Sequence, residues 1–301
     1  MSLWRFDYRP HDGFVAPARD TAQLWRLLMG LVLAAAIFVA LSRMMISTVF
    51  SVLEPGARAA LATDGTTGQT AGGTLLLLLQ LGLLSVTAAL VVIMVHKRRP
   101  ATLIGPVGLA TRQFVAVLSM MALLTLALWL LPPYDFGDPL ERNMSLGRWM
   151  LLLPVALLAV LIQTSAEEVF FRGYIQQQLA ARFRSPLVWM LLPAGLFGVG
   201  HYLPETAGSN ATTIALWATV FGLLMADLTA RSGTLGPAIA VHFANNISAM
   251  VLTGTPDEMS GLALYVLPFG VGDEAQMAAW LPAEFGFMLV MWLAARLAIR
   301  A

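Results

Sequence analysis

Several apolar stretches of about 20 residues limit the folds open to this chain more than any other feature. A helix of that length crosses the ~30 Å hydrocarbon core of a bilayer. The composition agrees, since 58% of the 301 residues are hydrophobic and 12% are charged, against roughly 25% charged residues in soluble domains. We therefore predict an all-α fold, a polytopic transmembrane helical bundle.

Hydropathy windows of membrane-spanning length predict about eight spans. They are Trp25–Val49, Gly73–His96, Phe114–Leu131, Trp149–Phe171, Leu187–Tyr202, Ile214–Thr229, Leu235–Leu252 and Phe285–Ile299. The predicted organisation is a cytoplasmic N-terminal tail (1–24), the first three spans (25–131), a core that holds the buried polar groups (149–252), and an outer loop with the last span (253–301). The N-terminal residues lack the apolar core and small-residue cleavage site of a signal peptide.

Basic residues predict the orientation of these spans. If the N-terminus is cytoplasmic, only Arg43, Arg58, Arg142 and Arg148 of the 18 Lys and Arg residues fall on the outer side. This asymmetry is typical of the positive-inside rule and predicts that both termini are cytoplasmic. The chain has no cysteine, which excludes disulfides and thiol chemistry. We expect a lipid bilayer around the chain and no nucleic-acid partner, and the oligomeric state stays open.

Three ionisable side chains follow the apolar run of the fourth span, in Glu167-Glu168-Val169-Phe170-Phe171-Arg172. A charge at membrane depth costs roughly 2.5–3.5 kcal/mol on insertion scales, so such residues usually have a partner or a function. Glu168 and Arg172 are four residues apart and are predicted to pair on one helix face. Glu167 points elsewhere, without a local partner, and is a candidate general base. A structural ion-pair network is the alternative interpretation.

A second polar stretch, Phe197-Gly198-Val199-Gly200-His201, ends the fifth span. A single histidine here is compatible with either a packing role or a catalytic one. Phe197 lies one turn before His201 and is expected to fix its ring, and the two glycines permit close approach of another helix.

A third stretch, His242-Phe243-Ala244-Asn245-Asn246, lies in the seventh span. His242 and Asn246 share a helix face, and both can donate hydrogen bonds to a developing oxyanion. Asn245 is an alternative second donor, and polar contacts between helices would explain the same residues without catalysis.

The rise of an α-helix per residue tests whether Glu167, His201 and His242 can lie at the same depth in the membrane. If the fourth helix continues past Arg172 to Arg184, a rise of ~1.5 Å per residue places Glu167, His201 and His242 at overlapping depths near mid-membrane. A helix that stopped at Arg172 would leave Glu167 too close to the cytoplasm. We therefore expect the longer helix.

Between the sixth and seventh spans, Asp227 and Arg231 are again four residues apart. We expect this pair to be structural and Gly233 to occupy a turn.

The ordered motifs resemble the CPBP family of intramembrane proteases, which includes the type II CAAX prenyl endopeptidases and bacterial proteins linked to bacteriocin self-immunity. The motifs read Glu167-Glu168…Arg172-Gly173-Tyr174, Phe197…His201 and His242…Asn246, with Arg231-Ser232-Gly233-Thr234-Leu235-Gly236-Pro237 before the last. The resemblance covers roughly Leu151–Leu252 and makes residues 149–252 a catalytic CPBP-like core.

The resemblance implies an intramembrane endopeptidase acting on a membrane-associated protein or peptide. Glu167, assisted by His201, would activate a water molecule, and His242 with Asn246 would stabilise the oxyanion. Glu168, Arg172 and Phe197 would support this site.

The resemblance leaves the metal and the substrate open. No metal is our preferred expectation, because no His-Glu-x-x-His helix is present. Zinc held by Glu167, His201 and His242, as in a metalloendopeptidase, is the alternative. The family implies cleavage near a prenylated C-terminal cysteine. The short loops favour a bacterial plasma-membrane protein, for which another membrane-bound peptide is the expected substrate.

Two other functions fit parts of the pattern. Intramembrane Glu and His also mark the ion pathways of proton-coupled transporters, although no inverted repeat with broken helices is evident here. A non-catalytic membrane scaffold or immunity protein would use the polar groups for assembly.

Overall fold

The computed structural model describes residues 8–64, 67–130 and 139–300. In these ranges the α-helices are α1 (Arg9–Val15), α2 (Leu24–Val52), α3 (Pro55–Asp64), α4 (Ala71–His96), α5 (Val107–Leu130), α6 (Leu146–Glu168), α7 (Gln177–Arg182), α8 (Pro186–Val199), α9 (Pro204–Ala207), α10 (Ala211–Ser232), α11 (Gly236–Ile247) and α12 (Glu274–Ile299). Two segments are π-helical, Val169–Gln176 between α6 and α7, and Ser248–Leu252 after α11. Short 3₁₀ segments cover Ala16–Thr21, Pro100–Leu103 and Gly208–Asn210.

Six helical stretches within the described ranges are long and apolar enough to cross a bilayer. They are Leu24–Val52, Ala71–His96, Val107–Leu128, Leu146–Arg182, Pro204–Ser232 and Glu274–Ile299. Large apolar side chains on these helices are exposed, for example Val32 at 73% and Leu151 at 80%, as expected for surfaces that contact lipid. The chain is an integral membrane protein with an all-α bundle, as predicted.

Two of the eight predicted spans correspond to shorter helices. The fifth is α8, which has 14 residues and ends at Val199, just before Gly200. The seventh is α11, which has 12 residues and continues as the π-helical Ser248–Leu252. Both carry polar residues near their ends, and neither has the length of the six long helices. The predicted end of the third span, Leu131, lies outside the described residues.

The last span was predicted too short. It was placed at Phe285–Ile299, but α12 begins at Glu274, where the Asp273 side chain accepts a hydrogen bond from the Gln276 backbone N–H. Pro282 and Glu284 lower the hydropathy of the first turns of α12, so the predicted span began only at Phe285. The helix tolerates Pro282 in its interior.

The helices pack in an order that places α6 and α11 at the centre. α2 packs on α4 and α4 on α6, while α11 packs on α5, α6 and α10; α10 also packs on α8 and α12. The π-helical turn after α6 contacts both α4 and α8. Most side chains of this turn are therefore buried between helices, and Phe170 and Phe171 are partly exposed.

The fourth predicted span continues as one helical rod well past Arg172. It runs from Leu146 to Arg182 over 37 residues, so the expectation of a longer helix is confirmed. Its π-helical turn, Val169–Gln176, follows the glutamate pair directly. Such i→i+5 turns are rare and occur frequently at functional sites.

The N-terminal segment from Tyr8 to Thr21 is folded onto one end of the bundle, although residues 1–24 were predicted as a tail. The Tyr8 hydroxyl donates to Asp227 Oδ1 (2.8 Å), and Trp292 of α12 donates to Asp227 Oδ2 (3.0 Å). Residues near both ends of the described chain, Tyr8 and Trp292, thus contact the same side chain, and the predicted cytoplasmic location of the termini stays a prediction. Asp227 also forms the predicted buried ion pair with Arg231 (2.8 Å).

Three two-residue strands lie near the other end of the bundle, within the described ranges. They are β1 (Glu141–Arg142), β2 (Thr253–Gly254) and β3 (Tyr265–Val266). β3 lies in the middle, antiparallel to β1 and parallel to β2. This small sheet joins the loop before α6 to the segment between α11 and α12.

Candidate active site

The Glu168–Arg172 pair lies at the junction between α6 and its π-helical turn. Arg172 Nη1 is 3.0 Å from Glu168 Oε1, and both side chains are buried, at 1% and 0% exposure. Arg172 Nη2 also donates to the carbonyl oxygen of Gly222 on α10 (3.1 Å), and the guanidinium lies over the Phe197 ring. The predicted pairing is confirmed, and it links three helices.

His242 of α11 lies between the two glutamates. Its Nδ1 is 2.8 Å from Glu168 Oε1, and its Nε2 is 3.5 Å from Glu167 Oε2. The spacing within the fourth helix correctly predicted that Glu167 has no local partner, since its neighbour comes from another helix. The same spacing did not reveal that Glu168 contacts His242 as well as Arg172.

The contacts of His242 define its orientation. An imidazole whose Nδ1–H donates to a carboxylate has a fixed tautomer and ring plane, and its Nε2 points away from that carboxylate. Here Nε2 points towards Glu167, the glutamate without an arginine partner. The edges of the Phe197 and Phe221 rings pack at right angles to the imidazole plane or nearly so, at centroid distances of 6.0 and 5.1 Å. The ring therefore has little freedom to rotate.

Asn246 lies one turn beyond His242 and also contacts α6. Its Nδ2 donates to Gln163 Oε1 (2.9 Å), and Asn245 donates to Asn246 Oδ1 (3.1 Å). Gln163 is one turn before Glu167 on α6, so the helices run antiparallel with these polar residues in register. Gln163 was not among the predicted site residues. A buried amide at i−4 from a buried glutamate was the available signal.

His201 lies just beyond α8 and is half-buried. Its Nδ1 is 2.8 Å from the Phe197 carbonyl oxygen, and its ring is 4.5 Å from the Phe197 ring. Phe197 thus contacts both imidazoles, and its predicted role beside His201 is consistent with this packing. No direct hydrogen bond joins His201 to Glu167 among the described residues, so assistance of Glu167 by His201 stays a prediction.

Gly198 brings α8 against α10. A Cβ at this position would lie 2.0 Å from Thr219 Oγ1 and 2.6 Å from the Ala215 carbonyl oxygen. The predicted close approach is confirmed for Gly198. A Cβ at Gly200 would instead meet the Phe197 carbonyl of its own helix, at 3.3 Å, so Gly200 provides no such contact.

The proposed zinc ligands do not form a cluster suited to a metal. Across the parts of the chain that the structure describes, no group of three His, Cys, Asp or Glu side chains could hold a metal ion. Glu167 and His242 approach each other, but His201 faces its own helix through Nδ1. The residues present do not fit a three-ligand zinc site, and we derive no step through a metal.

Comparison with known proteins finds a family that is similar to the region holding these residues. Residues 149–248 match the family described as "Type II CAAX prenyl endopeptidase Rce1-like". The match covers 100 of the 301 residues, about a third of the chain, and shows a similarity of this region to the family. All seven predicted site and supporting residues lie inside the matched range, so the resemblance inferred from the motifs is confirmed for this region.

One curated relative is similar to part of the chain. It is "Uncharacterized protein YyaK" of Bacillus subtilis (strain 168), 31% identical over 134 residues, which are 44% of this chain and 44% of the relative. The match therefore spans less than half the length of either protein. No solved structure matches the chain.

Proposed function

We propose that the protein is an intramembrane endopeptidase that hydrolyses a peptide bond of a membrane-associated protein or peptide. The observation that carries the proposal is the contact of one buried imidazole, His242, with two buried carboxylates, Glu167 and Glu168. The match of residues 149–248 to a family of prenyl endopeptidases supports the same reaction class.

The burial of this cluster favours a catalytic function over simple packing. Glu167 is 7% exposed, and Glu168, Arg172 and His242 are buried as well. Removing such charges from water costs several kcal/mol each, and apolar replacements of similar volume are often as stable. Arg172 pairs directly with Glu168, whereas the ion-pair contact of Glu167 among the described residues is the 3.5 Å approach of His242. The carboxylate of Glu167 is the member of the cluster that packing does not explain.

In the proposed reaction Glu167 is the general base. It takes a proton from a water molecule, and the water oxygen attacks the scissile carbonyl carbon, which gives a tetrahedral oxyanion. Glu167 then returns the proton to the leaving amide nitrogen, the C–N bond breaks, and the products are a carboxylic acid and an amine. His201, whose Nδ1 faces the Phe197 carbonyl, would position the attacking water with Nε2.

The developing oxyanion requires hydrogen-bond donors held in place before the reaction. His242, carrying a proton on both ring nitrogens, would supply Nε2–H, while its Nδ1–H donates to Glu168 Oε1 (2.8 Å) and fixes the ring. Asn246 would supply the second donor, because an amide nitrogen has two hydrogens and only one is directed to Gln163. Asn245 is the alternative second donor.

The proposed substrate class follows from the family match and from the bacterial origin of the curated relative. The family description names CAAX prenyl endopeptidases, while the curated relative comes from a bacterium and is uncharacterized. We place the protein in the bacterial plasma membrane and propose that it cleaves a membrane-bound peptide or protein that need not carry a prenyl group.

A comparison of cell membranes tests this function. Cells producing wild-type protein or Glu167→Gln would be compared by mass spectrometry of newly formed protein termini. The proposal predicts membrane proteins that are cut in wild-type cells and accumulate uncut with Glu167→Gln. Glu205→Gln, on an exposed turn of α9, is the matched control and should behave as wild type. Identical sets of termini for wild type and Glu167→Gln would refute the proposal.

A further inference from the structure

A cavity of about 430 Å³ opens beside the candidate site. Its walls come from the start of α10, the end of α11, the segment with β2, and the first turns of α12. The lining includes Trp217, Asn245, Thr253, Leu267, Trp280 and Glu284. The volume lies within the range of small-molecule and peptide side-chain pockets, about 300–1,000 Å³.

The cavity adjoins the candidate site, because residues of α11 take part in both. Asn245 lines the cavity and donates to Asn246 (3.1 Å), whose amide donates to Gln163. Asn245 is three residues beyond His242, a rise of about 4.5 Å along the helix. A ligand in this cavity would therefore contact a residue that lies within one helical turn of His242 along α11.

Two of the polar side chains that line the cavity come from different helices. Asn245 belongs to α11, and Glu284 belongs to α12, where Glu284 Oε1 accepts from the Trp280 indole N–H (2.9 Å). A carboxylate accepts about four hydrogen bonds over its two oxygens, so Glu284 retains capacity for a donor on a ligand. Most of the remaining lining is apolar, so the ligand should combine apolar groups with an N–H donor.

A strand edge forms part of the same wall. β2 is at the edge of the three-stranded sheet found in the described ranges, and β3 pairs with it on one side. Thr253, Gly254 and the following Thr255 line the cavity. Edge strands bind extended peptides by main-chain hydrogen bonds, with alternate side chains in adjacent pockets.

We propose that this cavity binds an extended segment of the substrate polypeptide, with large apolar side chains inside it and a backbone N–H donated to Glu284. This proposal rests on the proposed function. It adds a peptide-binding site that lies largely outside the family-matched region, residues 149–248. Most of the lining residues precede residue 149 or follow residue 248, and Ser248 is the last residue of the matched region.

A peptide fits these walls better than a lipid tail. An acyl chain carries neither donor nor acceptor, so it would bury Glu284 and Asn245 without new hydrogen bonds, which is unfavourable. A peptide supplies both an N–H for Glu284 and a carbonyl for the Asn245 amide. The neighbouring strand edge further favours an extended peptide.

Binding is measured separately from cleavage by using full-length Glu167→Gln protein in nanodiscs. The ligand is a biotinylated leucine–alanine decapeptide that carries one photoreactive leucine analogue. The proposal predicts crosslinks to residues 253–255 or to the first three turns of α12. Ala249→Trp, which fills the cavity, should reduce crosslinking at least ten-fold, while Ala283→Trp, on an exposed position of the same helix as Glu284, should not.

A second pair of variants keeps the test valid if Ala249→Trp does not fold. Glu284→Leu should weaken peptide binding about ten-fold, and Glu284→Gln, which keeps one acceptor oxygen, should weaken it less. Crosslinks that map elsewhere, or that neither Ala249→Trp nor Glu284→Leu reduces, would overturn the proposal. So would displacement of the peptide from this cavity by palmitic acid at equal concentration, which would indicate a lipid site. Because Glu167→Gln is inactive by design, these outcomes are independent of whether the wild type cleaves.

Discussion

Replacement of Glu168 by alanine tests the buried cluster most severely. Glu168 is fully buried and accepts hydrogen bonds from Arg172 (3.0 Å) and His242 (2.8 Å) through one oxygen, Oε1. Removing one partner of a buried ion pair costs about 3–5 kcal/mol, because the other charge stays buried without compensation. At about 2–4 °C for each kcal/mol, the melting temperature should fall by roughly 6–20 °C.

The assay is thermal unfolding of detergent-purified protein, followed by tryptophan fluorescence. Glu168→Gln should lose less than Glu168→Ala, since its amide oxygen can still accept from both donors. The double variant Glu168→Leu/Arg172→Met should recover much of the loss, because an apolar pair of similar volume leaves no buried charge on this contact. Glu205→Ala, at an exposed position, is the control. A melting temperature for Glu168→Ala within about 2 °C of wild type would refute the argument, since a broken buried pair cannot cost so little.

Three further predictions follow from other parts of the structure. Because the chain has no cysteine, a short bifunctional thiol reagent should link the two cysteines of Gln163→Cys/Asn246→Cys, detected by mass spectrometry, and should not link those of Gln163→Cys/Leu216→Cys, in which Leu216 is exposed. Equal yields would contradict the α6–α11 register. Peptide cleavage should survive exhaustive chelation of divalent metals, and loss of activity that added zinc restores would contradict the metal-free reaction. Burial against Trp189 lowers the pKa of His11 to about 4, so docking of residues 8–21 should be strongest above about pH 6.5 and weaken as pH falls towards 4. The hydrogen-exchange protection of this segment, corrected for the intrinsic amide rate at each pH, should therefore fall at low pH in wild type and change less in His11→Phe.

Much of the fold could be predicted from the length of the apolar stretches in the sequence, because the thickness of a bilayer sets how long a membrane-crossing helix must be. This rule fails where a helix is short or interrupted. α8 and α11 have 14 and 12 residues. Hydropathy windows of membrane-spanning length therefore included the turns that flank these two helices. In α12, Pro282 and Glu284 lower the local hydropathy, so the first turns were not predicted as part of the span. The π-helical turn at Val169–Gln176 has no periodicity signal in the sequence.

Within the candidate site, spacing predicted contacts along one helix better than contacts between helices. The Glu168–Arg172 pair and the shared face of His242 and Asn246 follow from the α-helical repeat. The bridge from His242 to both glutamates depends on the register between α6 and α11, which a single sequence does not contain. For the same reason the Gly222 carbonyl that accepts from Arg172 was not foreseen.

The central claim is that Glu167 activates a water molecule for peptide hydrolysis inside the membrane. The direct measurement is a single-turnover reaction in H₂¹⁸O, with purified protein and a membrane substrate identified by the comparison of termini. The account predicts one ¹⁸O atom in the new carboxyl group with the wild type, and at least a hundred-fold slower cleavage by correctly folded Glu167→Gln, in the range attributed to general-base catalysis. Cleavage by Glu167→Gln at the wild-type rate would contradict it.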